Sequence, residues 1–281
     1  MLRNDGPDIS RSASFCLYLF RQKAGMINKR LRGAAAENVL RQERQFVLEA
    51  IAKRVSGHVL GIGLPCADAI CALDGRFRSL TLVNRRECRG ELPQEHPHVE
   101  FHTSDFPPFP RWEQARFDWV VCYEQLEKVR DDFEMMREMN RMLRPDGKIL
   151  IVTANRRRTL VRNPFHMREY TADELQNLLS CLFGDIEAQS VCGNRKVMMY
   201  YEYNRRGVES FVGFDFLQFH RWLPSWLLKI PYAFFNRLNR RRLLIMHRKL
   251  TTSITPDDFM LRPADDDGFE LFFTAVKQAH P

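Results

Sequence analysis

The chain has 281 residues, 44% hydrophobic and 28% charged, a composition that excludes wholesale disorder and suits one core of roughly 200 residues with accessory segments. Forty-three Lys and Arg against 35 Asp and Glu leave a formal charge of +8, which permits an anionic partner without naming one. The seven cysteines are odd in number and contain no C-x-x-C pair, so the spacing indicates neither a disulfide framework nor a zinc site, and no metal ligands are assigned.

Residues 1–36 read as a basic N-terminal extension whose apolar run, Phe15 to Phe20, is too short for the core of a signal peptide. No stretch reaches the ~18 apolar residues of a membrane span, so the expected location is cytoplasmic. The first helix is predicted from Glu37 to Val55, with Leu40, Val47 and Ile51 at helical spacing and Gly57 as its stop. Short apolar runs then predict strands at Val59–Ile62, Leu80–Val83, Val99–Thr103, Asp118–Cys122 and Lys148–Val152. Several lack polar alternation, as strands buried on both faces do.

Helices are predicted between them at Asp68–Leu73, Asp131–Leu143 and Thr171–Phe183. In the last, Thr171 and Glu174 form a capping box ahead of Leu175, Leu178, Leu179 and Leu182. The stripe Met135, Met136, Met139 and Met142 reads as core filler rather than a cofactor box. Alternating strands and helices imply a Rossmann-like α/β fold, a mostly parallel sheet with helices on both faces. Residues 37–203 and 263–281 would form it, with Glu270–Lys277 as the closing strand and 204–262 as a basic, aromatic insertion.

In such a sheet a ligand sits beyond the carboxyl ends of the strands. The first strand–helix turn there is Val59-Leu60-Gly61-Ile62-Gly63-Leu64-Pro65-Cys66. It lacks the G-x-G-x-x-G of a dinucleotide site, and its G-x-G serves equally as a tight turn. Downstream come Phe117-Asp118-Trp119-Val120-Val121-Cys122-Tyr123-Glu124-Gln125-Leu126-Glu127-Lys128-Val129 and Leu143-Arg144-Pro145-Asp146-Gly147-Lys148. Asn163-Pro164-Phe165-His166-Met167-Arg168-Glu169-Tyr170-Thr171 then leads into the capped helix.

In order and spacing these segments resemble the class I S-adenosylmethionine-dependent methyltransferases, closest to the small-molecule and glycan-modifying, type 11-like group. The resemblance implies a seven-stranded sheet and S-adenosylmethionine as cofactor. It implies that Gly61, Ile62, Gly63 and Leu64 cradle the cofactor's amino-acid end and that Asn84 stands at the ribose position. Asp105 and Phe106 would meet the adenine, and Cys122 to Glu124 would line the sulfonium. His166 and Glu124 are the candidate catalytic residues: His166 either acts as a base over the acceptor or pins its loop, and Lys128 stands where the family usually has His.

The sequence departs from the family at Gly61, Pro65, Ala67 and Asn84, where the family carries an acid, two glycines and a second acid. The resemblance implies methyl transfer to a small-molecule, sugar or lipid-linked acceptor, and these departures motivate the alternative of a methyltransferase-like binding or scaffold protein whose cofactor site has decayed. The other alternative is an RNA-directed methyltransferase, although nucleic acid has no stacking motif in its favour.

From Phe216 to Pro256 there is no Asp or Glu, whereas Arg221, Lys229, Arg237, Arg240, Arg241, Arg242, Arg248 and Lys249 are interleaved with Trp, Leu, Ile, Tyr and Phe. That pattern predicts contact between 221–249 and an anionic membrane, at its inner face, against the alternative of an apolar face packed on the sheet or a second subunit.

Overall fold

A computed structural model describes residues 38–85, 96, 98–107, 109, 112, 114–159, 163–212 and 238–278. The N-terminal extension and residues 221–237 of the basic stretch lie outside the described residues. In chain order the helices are α1 (Asn38–Ala52), α2 (Cys66–Leu73), α3 (Asp132–Met142), α4 (Ala172–Ser180), α5 (Arg195–Val212) and α6 (Arg248–Ser253). Residues 238–246 are also helical and lead into α6.

The apolar runs become strands β1 (Gly57–Ile62), β2 (Phe77–Asn84), β3 (Val99–Thr103), β4 (Phe117–Tyr123) and β5 (Leu143–Ala154), all parallel, in the order β3-β2-β1-β4-β5. The chain completes the sheet with β6 (Phe183–Gly193), β7 (Phe259–Pro263) and β8 (Glu270–Lys277). β8 runs antiparallel between β5 and β6, and β7 pairs with β6 at the far edge. The sheet thus has eight strands where seven were expected. The additional one, β7, lies inside the stretch read as an insertion. As an edge strand ending in exposed Arg262 and Pro263 it lacks the apolar run that marks an inner strand.

Strand periodicity of two divides the core between the faces. Val59, Val121 and Leu150 pack with α1, α2 and α5, while Leu60, Val120 and Ile149 pack with α3 and α4. Met135, Met136, Met139 and Met142 are fully buried, as the core reading requires. Burial at that level stabilises by roughly 1.5–3 kcal/mol per side chain. Helix α3 starts where the Asp131 side chain accepts from the Glu134 N–H, and α4 starts on the Thr171–Glu174 capping box.

Five parallel strands bring their carboxyl ends to one edge of the sheet. Because β8 is reversed, its first residue arrives at that same edge, where Glu270 pairs with Ala154.

Candidate active site

At the carboxyl end of β1 the backbone turns at Gly63, which has φ +78 and donates its N–H to the Val83 carbonyl at 2.9 Å. A Cβ there would stand 2.5 Å from the Tyr123 carbonyl oxygen and would collide with the Gln125 side chain, so only glycine fits. Gly61 is packed differently. A Cβ on it would meet Leu64 at 2.5 Å and Leu82 at 2.8 Å. Ile62 and Leu64 are fully buried, so what this turn offers a ligand is mainly backbone.

Asn84, at the end of β2, is tied to this turn. Its amide nitrogen donates to the Leu64 carbonyl at 3.1 Å and to Cys66 Sγ at 3.2 Å. Only the amide oxygen can therefore serve a ribose hydroxyl. Cys66 is disulfide-bonded, which the cysteine spacing did not indicate, whereas Cys122, Cys181 and Cys192 are free.

Beyond β3, Asp105 is exposed and Phe106 is buried, stacked on Phe109 with centroids 5.2 Å apart. The Arg85 guanidinium lies 4.9 Å over the Phe106 ring and donates to the Phe106 carbonyl at 2.9 Å, which links the end of β2 to the end of β3. Cys122 is fully buried, and burial, together with the nearby Glu127 charge, pushes its thiol up to about 12. It is a wall of the site and not a nucleophile.

Acidic residues gather beside these strand ends. Glu124 holds φ +47, its N–H donates to the Val152 carbonyl, and its own carbonyl accepts from the Lys128 ammonium. Glu127 is buried and accepts a 2.7 Å bond from Thr153 Oγ1. Glu43, from α1, is buried and accepts from Tyr201 of α5 at 2.7 Å. Burial raises its carboxyl to about 7 against that hydrogen bond, and the charge of Glu124 adds to the rise. Glu270 is pushed well above the carboxylate range by burial and by Glu43, Glu124 and Glu127. Sequence reasoning missed both Glu43 and Glu270. They lie at opposite ends of the chain, and no local pattern marks either.

His166 belongs to a self-contained loop. Its Nε2 bonds to the Asn163 amide at 2.9 Å and its Nδ1 to Glu169 Oε1 at 2.6 Å. Burial would raise the Glu169 carboxyl, but the bonds from His166 and Thr159 hold it below its ordinary value. The N–H groups of Met167 and Arg168 both donate to the Glu127 carbonyl, which fastens the loop behind β4. The fold therefore brings Gly61 to Leu64, Asn84, Cys122 and Glu124 to one edge and links Asp105 and Phe106 through Arg85. The hydrogen bonds of His166 stay within its own loop.

The residues fit a sulfonium-bearing adenosyl amino acid. Gly63 turns the backbone at the strand end, the Asn84 oxygen and the exposed Asp105 carboxylate are acceptors, and the surrounding acids suit a cation.

Residues 61–151 match a family model described as "Methyltransferase domain". A probable S-adenosylmethionine-dependent methyltransferase of Mycolicibacterium smegmatis is 29% identical over 164 residues, 55% of this chain and 63% of that protein. One of Mycobacterium tuberculosis is 36% identical over 89 residues, 30% of this chain and 32% of that protein. The chain thus spans less than two thirds of the length of these relatives. Among solved structures, a Thermotoga maritima protein described as an S-adenosylmethionine-dependent methyltransferase, possible histamine N-methyltransferase, superposes with TM-score 0.54. The match has 11% identity and covers 92% of this chain and all of that one. The cyclase SpnF superposes with TM-score 0.50 at 15% identity, covering 84% of this chain and 82% of that one. Both likenesses concern the fold.

Proposed function

We propose that the chain, whose residues 61–151 match a methyltransferase domain model and whose relatives above are probable S-adenosylmethionine-dependent methyltransferases, is a class I enzyme of that kind that carries out methyl transfer to a hydroxyl or carboxyl group of a small-molecule, sugar or lipid-linked acceptor. The observation that carries this reading is the glycine turn at the carboxyl end of β1, held in the left-handed conformation at Gly63 and bonded through Leu64 to Asn84. Gly61, Ile62, Gly63 and Leu64 would hold the cofactor's amino-acid end. The Asn84 oxygen would take a ribose hydroxyl, Asp105 and Phe106 the adenine, and Cys122 and Glu124 the neighbourhood of the sulfonium. The cofactor supplies an activated methyl group, so in-line displacement asks the protein for position and exclusion of water. Buried Cys122 and Tyr123 provide a dry wall, and Glu124 supplies negative charge beside it. His166, with both ring nitrogens engaged, is assigned the loop-pinning role.

Titration of the full chain with S-adenosylmethionine and S-adenosylhomocysteine tests the reading. Saturable micromolar binding that Asp105→Ala weakens is expected, and the absence of both heat and thermal shift at millimolar cofactor refutes it. The second reading is a binding protein on the same fold. It is favoured by the commitment of the Asn84 amide to Leu64 and Cys66 and by Gln125 lying against Gly63, and the same null titration would support it.

The proposal extends to a peripheral, cytoplasmic position on an anionic membrane through 221–249. Among the described residues no helix is long and apolar enough to cross a membrane. Residues 238–249 expose Leu238, Ile245 and Met246, the last two at 79% and 62%, together with Arg241, Arg242, Arg248 and Lys249. Leu243 and Asn239 are buried on the opposite side. Each basic residue near an anionic surface contributes about 1 kcal/mol. Co-sedimentation with phosphatidylserine vesicles should fall with salt and with reversal of those four charges. Protein that stays in the supernatant at low salt would end this part of the proposal.

A further inference from the structure

Between α1, the end of β5, α5 and the start of β8 lies a cavity of ≈ 780 Å³ that none of the cofactor-side residues lines. Its floor is the Tyr201–Phe269 stack, with centroids 3.9 Å apart, flanked by the carboxyl groups of Glu43 and Glu270. Glu43 is satisfied by the Tyr201 hydroxyl, but Glu270 Oε2 is enclosed and meets no donor among the described residues. An enclosed polar atom left without a partner destabilises the fold around it, and a ligand hydroxyl would relieve that.

The mouth is different in kind. Arg157, Arg158, Arg195, Arg205 and Arg206 line it, with Glu202 among them. The partners of Arg157 and Arg158 are weak ones, whereas Arg205 holds Glu202 at two points. Asp266 and Asp267, which meet Arg157 at 3.3 Å and Arg158 at 3.8 Å, have side chains 75% and 82% exposed. Arg205 and Arg206 share the Glu202 carboxylate at 3.1 Å, with Glu209 3.8 Å from Arg205. Arg195 is exposed and meets no carboxylate within ion-pair distance among the described residues. Single-point pairs to such exposed carboxylates are readily exchanged, so Arg157, Arg158, Arg195 and Arg206 can turn onto an entering anion and hold it with paired N–H donors.

We propose that this cavity binds the methyl acceptor as a molecule with a phosphate or carboxylate group at the arginine mouth and a hydroxyl that donates to Glu270 Oε2. The assignment of that molecule as acceptor rests on the methyltransferase reading above; the binding site itself does not. A neutral sugar would leave the guanidinium groups unused, and a cationic amine would be repelled before it reached the floor. The class that satisfies both ends is a phosphorylated or carboxylated polyol.

Calorimetric titration of the full chain, with and without S-adenosylhomocysteine, tests this with glycerol 3-phosphate against glycerol, glucose 6-phosphate against glucose, and inorganic phosphate alone. At least one phosphorylated polyol is expected to bind about tenfold or more tightly than its neutral counterpart and than inorganic phosphate. The double substitution Arg195→Ala with Arg206→Ala should abolish that advantage. Glu270→Leu should weaken binding about five- to twentyfold, while Glu270→Gln, which keeps the shape and an acceptor oxygen, retains most of it. Circular dichroism monitors folding of each variant. If no phosphorylated polyol exceeds its neutral counterpart, or if the advantage survives the arginine substitutions, the cavity assignment is overturned. Failure of S-adenosylhomocysteine to bind would instead strike the methyltransferase reading, and the polyol titrations would still decide the cavity.

Discussion

Substituting Asp for Asn84 separates what the resemblance implies from what the structure imposes. The family pattern has an acid at this position, so Asn84→Asp restores an acceptor for both ribose hydroxyls. In the folded chain, however, the Asn84 amide is a donor, at 3.1 Å to the Leu64 carbonyl and 3.2 Å to Cys66 Sγ. Asp cannot donate, and it turns a negative oxygen toward a carbonyl oxygen. Losing one good and one weaker hydrogen bond costs about 1–2 kcal/mol, and leaving the Leu64 carbonyl opposite a carboxylate adds roughly another 1–2. The sum is ~3 kcal/mol. For a domain of this size each kcal/mol lowers Tm by about 2–4 °C, which gives a fall of roughly 6–12 °C. Asn84→Ala removes the same donors without adding the charge, so its fall is about half as large. Differential scanning fluorimetry without cofactor should therefore order the proteins wild type, Ala, Asp. Addition of S-adenosylhomocysteine should then recover more for Asp than for Ala, because only the carboxylate gains a ligand partner. An Asp variant as stable as wild type without cofactor would refute the reasoning, since it would mean the two donated bonds contribute nothing.

Other substitutions probe separate links. Gly63→Ala forces a side chain into φ +78 against the Tyr123 carbonyl, and equilibrium denaturation should record a loss of about 1–3 kcal/mol together with weaker cofactor binding. Met139→Ala in the fully buried stripe of α3 should cost about 2–5 kcal/mol by the same assay; a cost below about 1 would contradict the core reading. Glu43 carries a pH signature. Its carboxyl lies at about 7 when folded against 4.5 in the unfolded chain, so between those values the folded state binds more protons. Its contribution is full below pH ~4.5, declines as pH rises to ~7, and is flat beyond, an overall loss of ~3 kcal/mol. Melting curves should show Glu43→Gln gaining on wild type from pH 5 to pH 8. Parallel curves would remove the buried carboxyl from the account.

Much of the sheet was legible because its inner strands are buried on both faces and write themselves as uninterrupted apolar runs. Among the inner strands Glu270–Lys277 was read with its observed bounds and the others except β6 within a few residues, while the edge strand Val99–Thr103 was read with its observed bounds from its Val-Glu-Phe-His-Thr alternation. Strand β6 was not. Its central stretch carries Asp185, Glu187 and Gln189 on half-buried or exposed positions, so no run forms until Val191 and Cys192. Helix α5 was hidden in the same way, because its arginines, glutamates and tyrosines face a cavity and exposed surface and leave Val197 and Tyr200 as its buried anchors. The turn at Gly61–Leu64 was visible as a motif, yet the inward donation of Asn84 and the approach of Gln125 to Gly63 depend on register between strands, which periodicity does not specify. Glu43 and Glu270 were illegible for a more basic reason. Their meaning comes from a reversed strand delivering one residue beside a helix more than two hundred positions earlier.

That reversal also sets the order in which the protein can assemble. Strands β1 to β5 pair only with one another until β8 exists, and with α1 to α3 they can condense as soon as residues 38–154 have left the ribosome. β6 and β7 cannot join them. Their only route into the sheet is the far side of β8, the last strand in sequence order. During synthesis the carboxyl-side flank of β5 therefore stands as an open edge, and β6 and β7 wait as an unattached antiparallel pair, each a template for pairing with a neighbouring chain. The slow step of folding becomes the insertion of a single strand between two edges already formed, closing both at once over a long sequence separation.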